Sequence, residues 1–281
     1  MIYIFYNPKS GDKKGKIEAE KLKKSLNEEC VLADITEYND SSDFFDSLSE
    51  SDRIIICGGD GTLHHFINLH SPENIKAEIS YFPFGSGNDF ANDVNLTKET
   101  YSNSIKNYLI DLPTVILNGK TYKFLNNVGF GLDGYACHMG EIQKAKNDKP
   151  INYTTIAIRG ILFDFKPLNA TVTVDGVTKE YKKVWLAPTL KGRYFGGGMM
   201  ATPNQNRLDP EKKLSVLVLH DTGKVKLLQI LPKVFNGTHI KHKKKVEIIT
   251  GNEITVTFDR PSTIQIDGEP IPNILTYSAK I

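Results

Sequence analysis

Three apolar stretches in the first third of the chain run directly into glycine-bearing breaks. Ile2–Tyr6 ends at Asn7-Pro8-Lys9-Ser10-Gly11, ahead of a Lys/Glu-laced helix expected over Ile17–Leu26. Arg53–Cys57 stops at Gly58-Gly59-Asp60-Gly61-Thr62, and Thr62–Leu69 has helical spacing. Ile79–Phe84 ends at Gly85-Ser86-Gly87-Asn88-Asp89. Between the first two breaks the pattern predicts a strand over Val31–Thr36 and a short helix over Asp43–Leu48. Such β-α alternation builds a parallel sheet with helices on both faces. Ligands of these sheets sit beyond the carboxyl ends of the strands, where these breaks fall.

The pattern changes after about Gly119. Short alternating stretches follow at Tyr122–Val128, Ala170–Val174, Lys183–Leu190, Leu214–Leu219, Val246–Thr250, Ile254–Phe258 and Thr263–Ile266. Asp175-Gly176, Gly251-Asn252 and Asp267-Gly268 punctuate them, which is the spacing of an antiparallel β-sandwich or barrel. Tyr135–Lys146 and Thr154–Phe165 read as helical insertions. The expected division is an α/β domain over residues 1–118 and a β-rich domain over residues 119–273. Composition fits an ordinary globular chain, with 40% apolar and 24% charged residues. A net charge of +2 gives no footprint of a nucleic-acid binder. Cys30, Cys57 and Cys137 form neither a disulfide framework nor a zinc motif, as expected of a cytoplasmic protein. No stretch approaches the roughly 20 apolar residues that cross a bilayer, so any lipid is expected to be met at a membrane surface or taken out of it.

Glycine lets backbone amides approach phosphate closely. A Walker A loop is excluded: only three residues separate Gly11 from Gly15, and Ile17 stands where a hydroxyl is required. Gly129-Phe130-Gly131-Leu132-Asp133-Gly134 matches G-x-G-x-x-G, but it lies in the β-rich half. No strand ending in an acid follows about 20 residues on, and Lys149-Pro150 occupies that region. The loops at Gly58–Thr62 and Gly85–Asp89 each combine glycine, a hydroxyl and an aspartate. Thr62 and Ser86 can donate to phosphate, and Asp60 and Asp89 can hold Mg²⁺ directly or through water. Taken singly, each is equally a tight turn whose aspartate caps a helix.

Gly58-Gly59-Asp60-Gly61-Thr62 resembles the signature shared by diacylglycerol, sphingosine and ceramide kinases and, more distantly, NAD kinases and phosphofructokinases. Pro83–Ala91 resembles the P-x-G-S/T-x-N-D-F-A segment of the diacylglycerol kinase catalytic domain. Asn126–Asp133 is similar to that family's N-x-x-G-x-G-x-D segment, Gly196–Met199 to its later glycine turn and Asp267-Gly268-Glu269 to its closing D-G-E. The likeness runs in order from residue 7 to residue 269 and is closest to the bacterial soluble lipid kinases. It implies a nucleotide-binding domain of the NAD kinase/diacylglycerol kinase type followed by a β-sandwich lipid-substrate domain, with the tail, residues 274–281, returning to the first domain. It implies an ATP site lined by Asn7, Lys9, Ser10, Gly58, Gly59, Gly61, Thr62, Gly85, Ser86 and Asn88, with Mg²⁺ organised by Asp60 and Asp89. Asp267 becomes the general base for a lipid hydroxyl, with Glu269 beside it. The implied protein is a cytoplasmic, membrane-peripheral lipid kinase of phospholipid metabolism; a homodimer is left open.

The chain departs from the family in places. His65 stands where Glu is usual, and Leu69 where Gly is usual. The structural-metal segment, roughly D-D-G-x-L-D in bacterial members, here reads Asp209-Pro210-Glu211-Lys212-Lys213-Leu214-Ser215. The lost glycine and Ser215 in place of the second acid argue against a second Mg²⁺. The basic run His239–Lys245 reads first as a solvated edge, with headgroup attraction as its functional alternative. Two other functions stay open on the residues: an NAD kinase-like phosphotransferase acting on a soluble nucleotide, and a non-catalytic nucleotide sensor.

Overall fold

A computed structural model of the chain describes residues 1–146 and 151–281, so Lys149-Pro150 lies outside the described residues. In the first unit, Met1–Leu112, four strands form one parallel sheet. They are β1 (Ile2–Tyr6), β2 (Cys30–Asp34), β3 (Arg53–Gly58) and β4 (Glu78–Pro83), in the order β2-β1-β3-β4. Helices α1 (Ser10–Lys13), α2 (Gly15–Ser25), α3 (Ser42–Ser47), α4 (Asp60–Leu69), α5 (Asp89–Asp93) and α6 (Lys106–Leu109) fill the connections and the stretch after β4. Ile54, Ile55 and Ile56 are consecutive and fully buried, because a parallel sheet covered on both faces has no polar side. One face packs Ile4, Ile55 and Cys57 against Ala19 and Leu22 of α2. Burial pushes the Cys57 thiol up to about 12. Rings of Phe5, Phe45 and Phe66 make a further core cluster. The chain places β2 on one side of β1 and β3 on the other, so the loops after β1 and β3 flank the topological switch point.

The second unit, Pro113–Ile281, holds β5 (Thr114–Leu117), β6 (Lys120–Lys123), β7 (Asn127–Gly131), α7 (Leu132–Lys146) and α8 (Tyr153–Arg159). A π-helical turn, Gly160–Asp164, extends α8. Next come β8 (Leu168–Val174), β9 (Val177–Val184), β10 (Leu186–Leu190), β11 (Tyr194–Phe195), β12 (Met199–Met200), β13 (Leu214–Leu219) and α9 (Lys224–Ile230). The chain closes with β14 (Val246–Gly251), β15 (Glu253–Ile266) and β16 (Glu269–Lys280). The pairing is antiparallel throughout. The stretches expected at Ile254–Phe258 and Thr263–Ile266 are one strand, β15, continued through register irregularities between Thr257 and Ile264. Its first half pairs with β8 and its second half with β7, so one strand serves both parts of the sandwich. Phe130, Val172, Val216, Ile254, Phe258 and Tyr277 share the core.

The last residues run back from Asp267-Gly268 along β15 as β16, and Ser278–Lys280 pairs with Thr114–Ile116 of β5, a strand inside the stretch 1–118 expected of the first domain. Because Thr114–Leu117 belongs to that sheet, the division falls at Leu112/Pro113 rather than near residue 118. The strand expected over Tyr122–Val128 is also interrupted, since residues 124–126 leave the ladder between β6 and β7.

The G-x-G-x-x-G segment is a packing device. A Cβ on Gly131, which has φ of +120°, would lie 2.4 Å from the Trp185 carbonyl oxygen. One on Gly134 would lie 2.1 Å from the Thr263 carbonyl oxygen, where α7 crosses β15. Gly134→Ala must therefore push helix and strand apart. The expected loss is about 1–3 kcal/mol, read by chemical denaturation followed by circular dichroism.

Candidate nucleotide loops and acidic turn

In the first unit the three strand-end loops are joined to one another. The Ser10 and Thr62 hydroxyls are hydrogen-bonded at 3.0 Å, linking the loop after β1 to α4. A Cβ on Gly85 would come within 2.6 Å of Gly59 Cα, so the loops after β3 and β4 touch backbone to backbone and both positions exclude a side chain. Phe84 N–H donates to Gly58 O at 2.6 Å. The Asp60 carboxylate accepts from the backbone N–H groups of Asp89 (2.8 Å) and Phe90 (2.9 Å), which lie at the start of α5. Asp60 is thus a helix cap supplied from a different loop. Asn88, at φ of +50°, closes its own turn by exchanging two 2.9 Å hydrogen bonds with Gly85. Asn7 accepts from Lys9 N–H at 2.9 Å, a local turn that leaves Lys9 exposed.

Asp89 is 6% exposed, whereas Gly61 and Ser86 face solvent. Beneath these loops Tyr81 is fully buried; burial first, then Asp60, Cys57 and Asp89, raise its phenol well above the ordinary range. His65 is committed to a 3.0 Å hydrogen bond with Asn39. Among the described residues no group of three or more His, Cys, Asp or Glu side chains could hold a metal. Mg²⁺ keeps waters and takes only one or two carboxylates, so this count does not bear on an ion carried by a nucleotide's phosphates.

In the second unit Asp267 occupies the turn between β15 and β16, with φ of +47°. Its carboxylate accepts from the N–H groups of Leu125 (2.6 Å), Asn126 (2.7 Å) and Asn127 (2.9 Å). These charge-assisted bonds draw residues 124–126 out of the β ladder. Arg207 grips the same strip, donating to the Leu125 carbonyl (2.5 Å) and to Asn126 Oδ1 (2.8 Å). It is 4% exposed, and no periodicity or turn pattern in its polar loop marks it from sequence. Glu269 is exposed at the start of β16.

A second acid supports this turn. The Gln265 side chain donates to Asp133 Oδ2 (3.1 Å) and accepts from Gly268 N–H (2.8 Å). Gln265 is 2% exposed, and Asp133 Oδ1 is buried with no partner among the described residues. Burial raises the Asp133 carboxyl above the ordinary range, with the Gln265 bond opposing. Nearby Cys137 is pushed up to about 12, again by burial first. The one sequence signal for Gln265 is an amide between two core isoleucines on a strand.

The segment at Asp209–Ser215 is closed by a side-chain network. Gln205 Nε2 donates to the Lys213 carbonyl at 2.7 Å, and the Ser215 hydroxyl donates to Gln205 Oε1. Ser215 has spent its only proton, so Thr250 supplies the donor in their 2.7 Å hydrogen bond.

Residues 1–114 match the diacylglycerol kinase catalytic domain, and residues 126–278 match the YegS C-terminal NAD kinase beta sandwich-like domain. The protein named "Putative lipid kinase YtlR" of Bacillus subtilis is 25% identical over 244 residues, 77% of this chain and 74% of that protein. A diacylglycerol kinase of Mycobacterium tuberculosis is 24% identical over 233 residues, 79% of this chain and 72% of that protein. A Bacillus anthracis crystal structure, described as a "putative diacylglycerol kinase", shares the fold with a TM-score of 0.67 at 20% identity, covering 99% of this chain and 91% of its own. The chain belongs to the family of the YegS C-terminal NAD kinase beta sandwich-like domain, preceded by a stretch that matches the diacylglycerol kinase catalytic domain.

Two measurements probe these networks. Since the folded Asp133 carboxyl holds its proton more tightly than the unfolded one, its contribution to stability is present below about pH 4 and is lost as pH rises through the raised value. Asp133→Asn therefore gains stability relative to wild type between pH 4 and pH 8 in thermal unfolding. At Gln205, Mg²⁺ and EDTA should give the same melting temperature without nucleotide, and Gln205→Ala should lower it.

Proposed function

We propose that the chain is an ATP-dependent kinase that transfers the γ-phosphate of magnesium-bound ATP to a hydroxyl of a lipid such as diacylglycerol. The observation that carries this reading is the joining of three glycine-bearing loops at the switch point of a parallel sheet, through Ser10–Thr62, Gly59–Gly85 and Asp60–Asp89/Phe90. A Cβ on Gly61 would meet no atom within 4 Å, so the first turn of α4 is open to a phosphate group. Exposed Lys9 and Ser86 add a cation and a hydroxyl to the same set of loops. The names of the relatives support a lipid acceptor.

In this mechanism the ten loop residues from Asn7 to Asn88 named above bind the nucleotide, with Asp60 and Asp89 orienting its magnesium and waters. Magnesium supplies charge neutralisation on the triphosphate. Asp267 takes the proton of the lipid hydroxyl as that oxygen attacks the γ-phosphorus and the bond to the β-phosphate oxygen breaks, releasing ADP. Its three backbone donors fix the direction of the carboxylate. Glu269 lies two residues away on the same turn. The lipid is met at the cytoplasmic surface of a membrane.

The test supplies labelled ATP with a panel of lipid hydroxyl acceptors and with NAD. Label extracting into organic solvent is the expected result. Label on NAD alone, or nucleotide binding without transfer, would replace the reading with a soluble-nucleotide kinase or a sensor. Asp267→Asn should lower turnover about 10²–10⁴-fold while ATP still binds. Wild-type turnover in that variant would remove Asp267 as the base.

A further inference from the structure

The turn that carries Asp267 is held from two sides by unlike groups. On one side Gln265, a neutral amide, accepts from Gly268 N–H at 2.8 Å. On the other side Arg207, a cation only 4% exposed, grips the strip Leu125–Asn127. Leu125 is fully buried, and Asn126 and Asn127 are each 3% exposed, so these bonds are made away from water. Burying a guanidinium is costly, and the amide of a glutamine has donors enough for the same two oxygens. Hydrogen-bond satisfaction therefore does not account for a charge at this position.

The geometry shows where that charge acts. The Leu125 carbonyl and the Asn126 N–H belong to one peptide group. Arg207 Nη1 donates to its oxygen at 2.5 Å, and its N–H donates to Asp267 Oδ1 at 2.7 Å. A cation at the oxygen end polarises the amide and makes its N–H a stronger donor, and such chains reinforce one another in a low-dielectric interior. Arg207 Nη2 donates to the Asn126 side chain at 2.8 Å, which sets the plane of the guanidinium against the same residue. The Asn126 carbonyl accepts from the N–H of Lys191, just after β10, at 2.9 Å. Asn126 is thus held at its N–H, its carbonyl and its side chain, and the carboxylate it meets is held with it.

We propose that Arg207 is a positioning residue for phosphoryl transfer: through the Leu125–Asn126 peptide group it keeps the Asp267 carboxylate ionised and aimed. This rests on the lipid-kinase reading, in which Asp267 takes the proton of the acceptor hydroxyl. A bound triphosphate is anionic, and nearby negative charge drives a carboxylate toward its neutral form, which cannot take that proton. The positive charge relayed from Arg207 opposes that drift.

The full chain is assayed with magnesium-ATP and dioctanoylglycerol, and kcat and KM are followed across about pH 5–9, where the acidic limb reports the base. Arg207→Gln should lower kcat on the order of 10–100-fold, with KM for ATP changed by less than about twofold. The acidic limb of its kcat profile should move up by about one pH unit, because loss of the cation favours the protonated carboxyl. Arg207→Lys keeps a charge and loses the fork, so its limb should stay with wild type while kcat falls about 3–10-fold. In an Asp267→Asn background Arg207→Gln should cost no further rate, since it acts through the missing carboxylate. A rate loss that tracks only the melting temperature, with the acidic limb unmoved, overturns the proposal. So does an Arg207→Gln penalty of the same size with and without Asp267. Where Arg207→Gln does not fold, Arg207→Lys decides, and wild-type kcat there overturns the role. Transfer by wild type that Arg207→Gln leaves unchanged removes the role of Arg207 alone. No transfer from wild type to any lipid removes the kinase reading and this role with it.

Discussion

The first unit depends on one carboxylate placed across two loops. Asp60 starts α4 and spends both oxygens on the amides that start α5. Two helix N-termini would otherwise leave unsatisfied N–H groups beside each other. The contact works only because Gly59 and Gly85 carry no side chains, which lets the two backbones meet. The strand order β2-β1-β3-β4 then sets these loops beside the one after β1. That arrangement leaves the first turn of α4 open at Gly61, where a Cβ would meet no atom within 4 Å.

The second unit repeats the device. Asp267 gathers three consecutive amides, Arg207 holds the carbonyl side of the same strip, and Gln265 fastens the following turn to Asp133. Both motif acids are therefore committed to the backbone before any substrate arrives. A residue so fixed is well oriented for chemistry, and its loss also disturbs the local fold, so rate and binding must be measured together for any variant. The Gln205–Ser215–Thr250 network belongs to the same logic: a side-chain amide and two hydroxyls close the segment from Lys213 to Ser215.

Much of the fold was legible because its signals are local. Continuous apolar runs ending at glycine identified β1, β3 and β4, and the change to alternating stretches marked the second unit. Leu214–Leu219 was read with the bounds it has in the structure. The break at residues 124–126 was not readable, because its cause, Asp267, lies 140 or more residues away in sequence. The same holds for the path of residues 274–281, which is set by pairing with β5, a strand distant in sequence. Arg207 carried no signal, since an arginine in a polar loop reads as solvated until the fold buries it.

The sequence by itself determined the order of strands and breaks, the parallel and antiparallel halves, and the family, because periodicity and glycine spacing express backbone geometry within a few residues. Only the tertiary structure decided what the acids hold. Asp60 caps the helix of another loop, Asp133 sits protonation-shifted behind Gln265, and the G-x-G-x-x-G glycines serve helix–strand contact. The physical reason is that hydrogen-bond partners and burial are set by which segments meet in space, and a linear spacing rule carries no information about that meeting.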